Sequence, residues 1–155
     1  MTIRDRYDVE ALQKIGRIVA EVRDAMGARV RPGVSTAELD EYGRELLDKE
    51  GARSAPKLAY GFPGTTCISV NDAIAHGIPS STEVLREGDL VNIDVSAELD
   101  GYWADTGASF AVGQVSERDQ QLLSVTRQAL EDALREVASG RPIRHIGRAV
   151  SNRAH

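Results

Sequence analysis

Two hydrophobic periods divide the chain. From Leu12 to Met26 apolar residues return every three or four positions (Leu12, Ile15, Val19, Val22, Met26). This predicts an amphipathic helix, with Asp8 as its N-cap and Gly27 and Arg31-Pro32-Gly33 as its stop. Ser35-Thr36-Ala37-Glu38 has the capping-box spacing, which opens a second helix with Leu39, Tyr42 and Leu46 inward, ending near Gly51. Residues 52–65, rich in Gly, Pro, Ser and Thr, read as a loop. A short strand is expected over Thr66 to Val70, followed by a turn region containing His76-Gly77-Ile78-Pro79. From Leu90 to Val112 the period changes to two. Val91, Ile93 and Val95 alternate with Asn92, Asp94 and Ser96; Tyr102, Ala104, Thr106, Ala108 and Phe110 alternate with Trp103, Asp105, Gly107 and Ser109. Helical spacing then resumes. Ser116-Glu117-Arg118-Asp119 caps a third helix whose expected inward stripe is Leu122, Val125, Ala129, Leu130, Ala133, Leu134 and Val137. Gly140 closes it, and Ile143, Ile146, Gly147 and Val150 suggest a fourth helix.

The period-two stretch predicts a β-hairpin, with Asp100-Gly101 at the turn because a type I′ turn needs positive φ at both central residues. With that turn, Ser96 faces Asp105 and Asp94 faces Gly107. Asp94 and Asp105 are then diagonal neighbours on one face, roughly 7–8 Å apart or less at Cβ. Like charges held that close repel unless something positive lies between them, and a divalent metal would serve. The pattern leaves two readings open, a metal site or two solvated aspartates on an open face. Asn92, Ser96, Thr106 and Ser109 flank the pair as candidates to hold the carboxylates in place.

The order of elements contains a faint repeat. A long helix, a Pro/Gly break and a second helix precede the strands, and the same sequence follows them (Arg31-Pro32-Gly33 against Gly140-Arg141-Pro142). A two-repeat architecture would next supply more strands, and the last helix lacks a C-cap signal. The pattern therefore reads as an interrupted architecture in preference to a short terminal helix that frays.

Composition narrows the class without changing this picture. The chain has 155 residues and a net charge of −5, with no basic run, which argues against a nucleic-acid partner. A single cysteine, Cys67, excludes an internal disulfide and fits a reducing compartment. There is no signal-peptide core and no apolar run long enough for a membrane span. The expectation is one cytoplasmic domain over 1–155 with no membrane partner.

Among other residues that carry chemistry, His76 stands out for its apolar, turn-rich surroundings, against a plain reading as an exposed loop histidine. His145 reads as surface, and His155 is terminal. Cys67 has neither a base nor a pKa-lowering neighbour in view, so a buried small hydrophobe is its default. Tyr60 and Phe62, on a glycine-rich loop, either line an apolar pocket or pack in the core.

Four blocks then resemble, in order and spacing, successive motifs of type I methionine aminopeptidases. They are Phe62-Pro-Gly-Thr-Thr-Cys-Ile-Ser-Val-Asn71, His76-Gly-Ile-Pro79, Glu87-Gly-Asp-Leu-Val-Asn-Ile-Asp-Val95 and Asp100-Gly-Tyr-Trp-Ala-Asp-Thr-Gly107. Arg31 to Leu39 also fits the family's early helix–break–helix. The resemblance implies an α+β, pita-bread (creatinase/aminopeptidase-like) fold, of which this chain would be the first pseudo-symmetric half plus the opening helices of the second. It implies removal of the initiator methionine from nascent chains by water activated between two divalent ions (Co, Mn, Fe, Zn or Ni). The implied partners are peptides bearing an N-terminal methionine, met at the ribosome. By carry-over, Asp94 is a metal ligand, Asp105 bridges both ions, and His76 contacts the substrate near the scissile amide. Phe62 and Cys67 wall the methionine pocket, with Tyr60 as a further candidate.

The sequence departs from that pattern in one respect. The family's remaining ligands, a histidine and two glutamates, and a further active-site histidine have no counterpart before His155. Two carboxylates cannot close a dinuclear site. The expectation is weak metal binding and little or no activity for these 155 residues, with a non-catalytic half-domain that binds peptide or a partner chain as the alternative. A second copy or a separate chain could supply the missing face of such a half-domain.

Overall fold

Asp5, rather than Asp8, caps the first helix. In the computed structural model, which describes residues 3–154, the Asp5 carboxylate accepts the Asp8 amide at 3.0 Å and α1 spans Arg6–Gly27. Asp8 lies inside the first turn and is buried for another reason. It accepts hydrogen bonds from Arg4 and from the Tyr102 hydroxyl at 2.6 Å, tying the start of α1 to the sheet. Those two donors, Arg4 first, hold its carboxyl well below the usual carboxylate range. The second helix, α2 (Thr36–Lys49), carries the expected capping box, with Ser35 and Glu38 each accepting the other's backbone amide.

Residues 52–65 are not all loop. Arg53–Ser54 form a two-residue strand, β1, and Ala55–Tyr60 a short helix, α3, capped by Ser54 and ended by Gly61 at φ 63°. The composition suggested a loop because Pro56 sits in this segment, but the first turn of a helix has no use for the amide that proline lacks. Next come β2 (Cys67–Val70), β3 (Leu90–Leu99) and β4 (Tyr102–Ala111). Strand β3 is the centre of the antiparallel sheet. It pairs with β4 along its whole length and with β1 and β2 on its other edge. Asp100 (φ 53°) and Gly101 (φ 87°) make the turn, as a type I′ hairpin requires.

Alternation gives the sheet two unlike faces. Val91, Ile93, Val95 and Ala97 are fully buried in a cluster with Ile15, Val19, Val22 and Met26 of α1 and Leu39 and Leu47 of α2. The opposite face carries Asn92, Asp94 and Ser96 from β3 and Trp103, Asp105 and Ser109 from β4. Helices cover the first face, which leaves the second free for a site.

A second compact unit begins at Val115. It contains α4 (Glu117–Arg135), capped by Ser116, and α5 (Arg144–Ala154), joined by Arg153 donating to Asp132 and Gln128. The stripe expected to face inward along α4 is covered only in part, with Val125 and Ala129 half-buried. Of α4 only Ala133 is buried, and Leu122, Leu130 and Leu134 remain more than half exposed. The spacing was right for a helix, but periodicity does not say whether anything packs against the stripe. His145 is half-buried, with Nδ1 3.8 Å from Glu136; His155 lies outside the described residues.

Candidate functional site

The hairpin register brings two carboxylates together. Asp94 faces Gly107 and Ser96 faces Asp105, so Asp94 and Asp105 share the uncovered face as diagonal neighbours. Across the other edge Asp94 faces Cys67. Asp94 Oδ1 is buried with no hydrogen-bond partner among the described residues. Buried polar oxygens are nearly always satisfied, and an unsatisfied carboxylate oxygen is costly. Burial first, then the neighbouring charge of Asp105, pushes the Asp94 carboxyl up to about 6, a rise that His76 partly opposes. The flanking residues do not relieve the strain as expected. Asn92 donates to Ser109 rather than to either carboxylate, and Thr106, on the covered face, accepts from Arg23.

The pair forms part of a cavity of about 660 Å³, lined also by Tyr60, Phe62, Cys67 and His76. Six residues far apart in sequence thus converge on one concave surface, and they are the six singled out from the sequence. They arrive by four routes, the first being the β3–β4 hairpin that carries both aspartates. Cys67 is placed by β2 pairing, and Tyr60 and Phe62 flank Gly61 at the end of α3. His76 projects from the loop after β2, in a left-handed conformation with φ 56°. Tyr60 stands at the rim, 87% exposed, whereas Cys67 is buried. Burial, followed by the charges of Asp94 and Asp105, pushes the Cys67 thiol up to about 11, which favours the neutral thiol.

Two contributors were missed. Trp103 lines the same cavity from β4, and the period-two register that placed Asp105 on this face also places Trp103 there. Asp40, on α2, accepts the amides of Thr65 and Thr66 and the Thr66 hydroxyl, and so fixes the chain directly before Cys67. No local pattern marks Asp40, because its partners lie 25 and 26 residues away.

The donor set suits a divalent cation in kind. Two carboxylates on a rigid hairpin, one with an orphaned buried oxygen, offer hard oxygen ligands at a fixed spacing. In number it is incomplete, since no group of three or more His, Cys, Asp or Glu side chains poised for a metal occurs among the described residues.

The chain is 47% identical over 154 residues to methionine aminopeptidase 2 of Bacillus subtilis (strain 168), an alignment covering 99% of this chain and 62% of that protein. It is 48% identical to a methionine aminopeptidase of Staphylococcus epidermidis (strain ATCC 12228 / FDA PCI 1200), over 97% of this chain and 60% of that one. It therefore spans about three fifths of the length of these curated relatives. The crystal structure of methionine aminopeptidase from Rickettsia prowazekii superposes with a TM-score of 0.92 at 33% identity, covering 99% of this chain and 62% of that one. The architecture is that of the pita-bread fold. Residues 10–155 match the model of metallopeptidase family M24, and the chain belongs to that family.

Proposed function

We propose that this chain carries one wall of a two-metal aminopeptidase site that removes N-terminal methionine from nascent proteins in the cytoplasm. The observation that supports it most is the orphaned Oδ1 of Asp94, held beside Asp105 in a cavity with His76 and Cys67. In this reading Asp94 and Asp105 would hold the metal. When bound, the ions, of the Co, Mn, Fe, Zn or Ni class, supply Lewis acidity and an activated water. The chain's own residues do the rest. Phe62 and Cys67 exclude water around an unbranched thioether side chain, for which an apolar wall suffices, with Tyr60 at the rim. The neutral thiol of Cys67 adds no competing charge. In the same reading His76, exposed on its loop, donates to the peptide at the scissile amide.

Two carboxylates leave each ion short of ligands, so these 155 residues bind metal weakly and turn over little or no substrate by themselves. A second reading, a non-catalytic module that binds peptide or a partner chain, draws support from the exposed leucines of α4.

One titration tests the first reading. Trp103, the sole tryptophan, lines the cavity and reports on it by fluorescence. Addition of the peptide Met-Ala-Ser in the presence of Mn(II) should change its emission, Gly-Ala-Ser should not, and methionine release should stay at the buffer rate. Equal responses to both peptides would refute a methionine pocket. Release well above the buffer rate would refute the incomplete site.

A further inference from the structure

His76 enters the cavity from a backbone conformation that a residue with a Cβ seldom adopts, with φ at 56°. Such a conformation persists only where the surroundings over-determine it. Little of that determination comes from His76 itself, which is exposed on the loop. It comes from the next residue. The Gly77 carbonyl accepts the Ile68 amide at 3.0 Å, and the Gly77 amide donates to Ser69 Oγ at 3.1 Å. Both backbone groups of Gly77 are thus held against β2. The approach is so close that a Cβ on Gly77 would lie 2.0 Å from the Ile68 carbonyl oxygen.

Ser69 is the one side chain in this clamp. It lies two residues after Cys67, so period-two alternation puts it on the same uncovered face, and β2 pairing sets it opposite Asn92. Yet it is only 4% exposed, because the His76–Gly77 segment lies over it. A buried hydroxyl on the functional face, engaged with the residue after a cavity-lining histidine, calls for an account that core packing does not supply. The carbonyl bond alone holds Gly77 to the strand edge as a hinge. The Ser69 bond adds a second point of attachment and fixes rotation about that hinge.

We propose that Ser69 is the positioning residue for His76: its hydroxyl anchors the Gly77 amide and so sets the left-handed turn that directs the imidazole into the cavity. The functional meaning rests on the substrate role of His76 proposed above, whereas the clamp itself can be measured without substrate or metal.

The test uses the ¹⁵N-labelled 155-residue chain and reads two quantities by NMR, hydrogen exchange at the Gly77 amide and the ring ¹⁵N signals of His76. Ser69→Ala should speed Gly77 exchange by tenfold or more and move the His76 ring signals toward those of a free histidine. Far-UV circular dichroism and Trp103 emission should stay as in the wild type. Ser69→Thr, which keeps the hydroxyl, should restore both readouts. Unchanged exchange and unchanged ring signals in Ser69→Ala would overturn the proposal, as would a folded Ser69→Thr that behaves like Ser69→Ala. If Ser69→Ala does not fold, Ser69→Cys is read the same way, since its thiol fills the site but accepts a hydrogen bond only weakly. Faster Gly77 exchange and displaced His76 signals are then expected, and unchanged ones overturn the proposal. None of these readouts needs peptide, so a failure to bind Met-Ala-Ser counts against the proposed function and not against the clamp.

Discussion

Replacing Asp94 by asparagine should stabilise the metal-free chain, although it removes a residue of the proposed site. In the folded protein the Asp94 carboxyl is raised from 3.8 to about 6, so ionising it costs more there than in the unfolded chain. At about 1.4 kcal/mol per pH unit the full difference is about 3 kcal/mol. The side chain is partly open to the cavity, and solvent screening reduces this to about 1–2 kcal/mol. The pH dependence follows from the sign. The folded state holds the Asp94 proton more tightly than the unfolded state, so the stability associated with this group is complete below about pH 4 and is lost as pH rises through about 6. Other carboxyls run the opposite way. Asp8, Glu38 and Glu98 are lowered in the folded state, and their contributions fade in acid. The difference between wild type and Asp94→Asn isolates the one group. Urea unfolding followed by Trp103 fluorescence, in EDTA, should give an advantage of about 1–2 kcal/mol to Asp94→Asn at pH 8, shrinking toward zero by pH 4. Excess Mn(II) should narrow or reverse the advantage at pH 8 if, as proposed, metal binds Asp94 in the folded wild type. An Asp94→Asn chain no more stable than wild type at pH 8 without metal would refute the idea that Asp94 is an uncompensated buried charge.

Three further outcomes follow from the same geometry. Asp40→Ala leaves the Thr65 and Thr66 amides without their acceptor and should cost about 1–3 kcal/mol in a urea melt, the penalty of unsatisfied buried donors. Cys67, with its thiol raised from 9.0 to about 11, should react with iodoacetamide at pH 8 about 100-fold more slowly than an unperturbed thiol, since only thiolate reacts. Leu130→Ser, on the exposed stripe of α4, should change stability by less than about 0.5 kcal/mol in the isolated chain; a larger loss in a melt would mean that the stripe is covered in solution.

Much of the site was legible because it depends on local rules. A two-residue turn fixes the hairpin register, and the register fixes which side chains share a face. Asp94, Asp105 and Trp103 all follow from that one register. What sequence could not supply was contact across long separations. Asp40 reaches Thr65 and Thr66 through tertiary packing, and Ser69 meets Gly77 only because the intervening loop folds back on β2. The N-terminal cap went to Asp5 because two aspartates competed for it, and Asp8 is engaged by Tyr102 across 94 residues. The segment after Gly51 looked like a loop by composition, yet β1 and α3 form there because they meet β3. The α4 stripe illustrates the converse: a helix can be read correctly while its neighbour cannot be read at all.

The central claim is that Asp94 and Asp105 act as one metal-binding pair. Electron paramagnetic resonance of free Mn(II), titrated with wild type, Asp94→Asn and Asp105→Asn at pH 8, tests it directly. The account predicts weak, saturable uptake by the wild type and loss of that uptake in both variants. Equal uptake by all three proteins, or no uptake by the wild type, would contradict it.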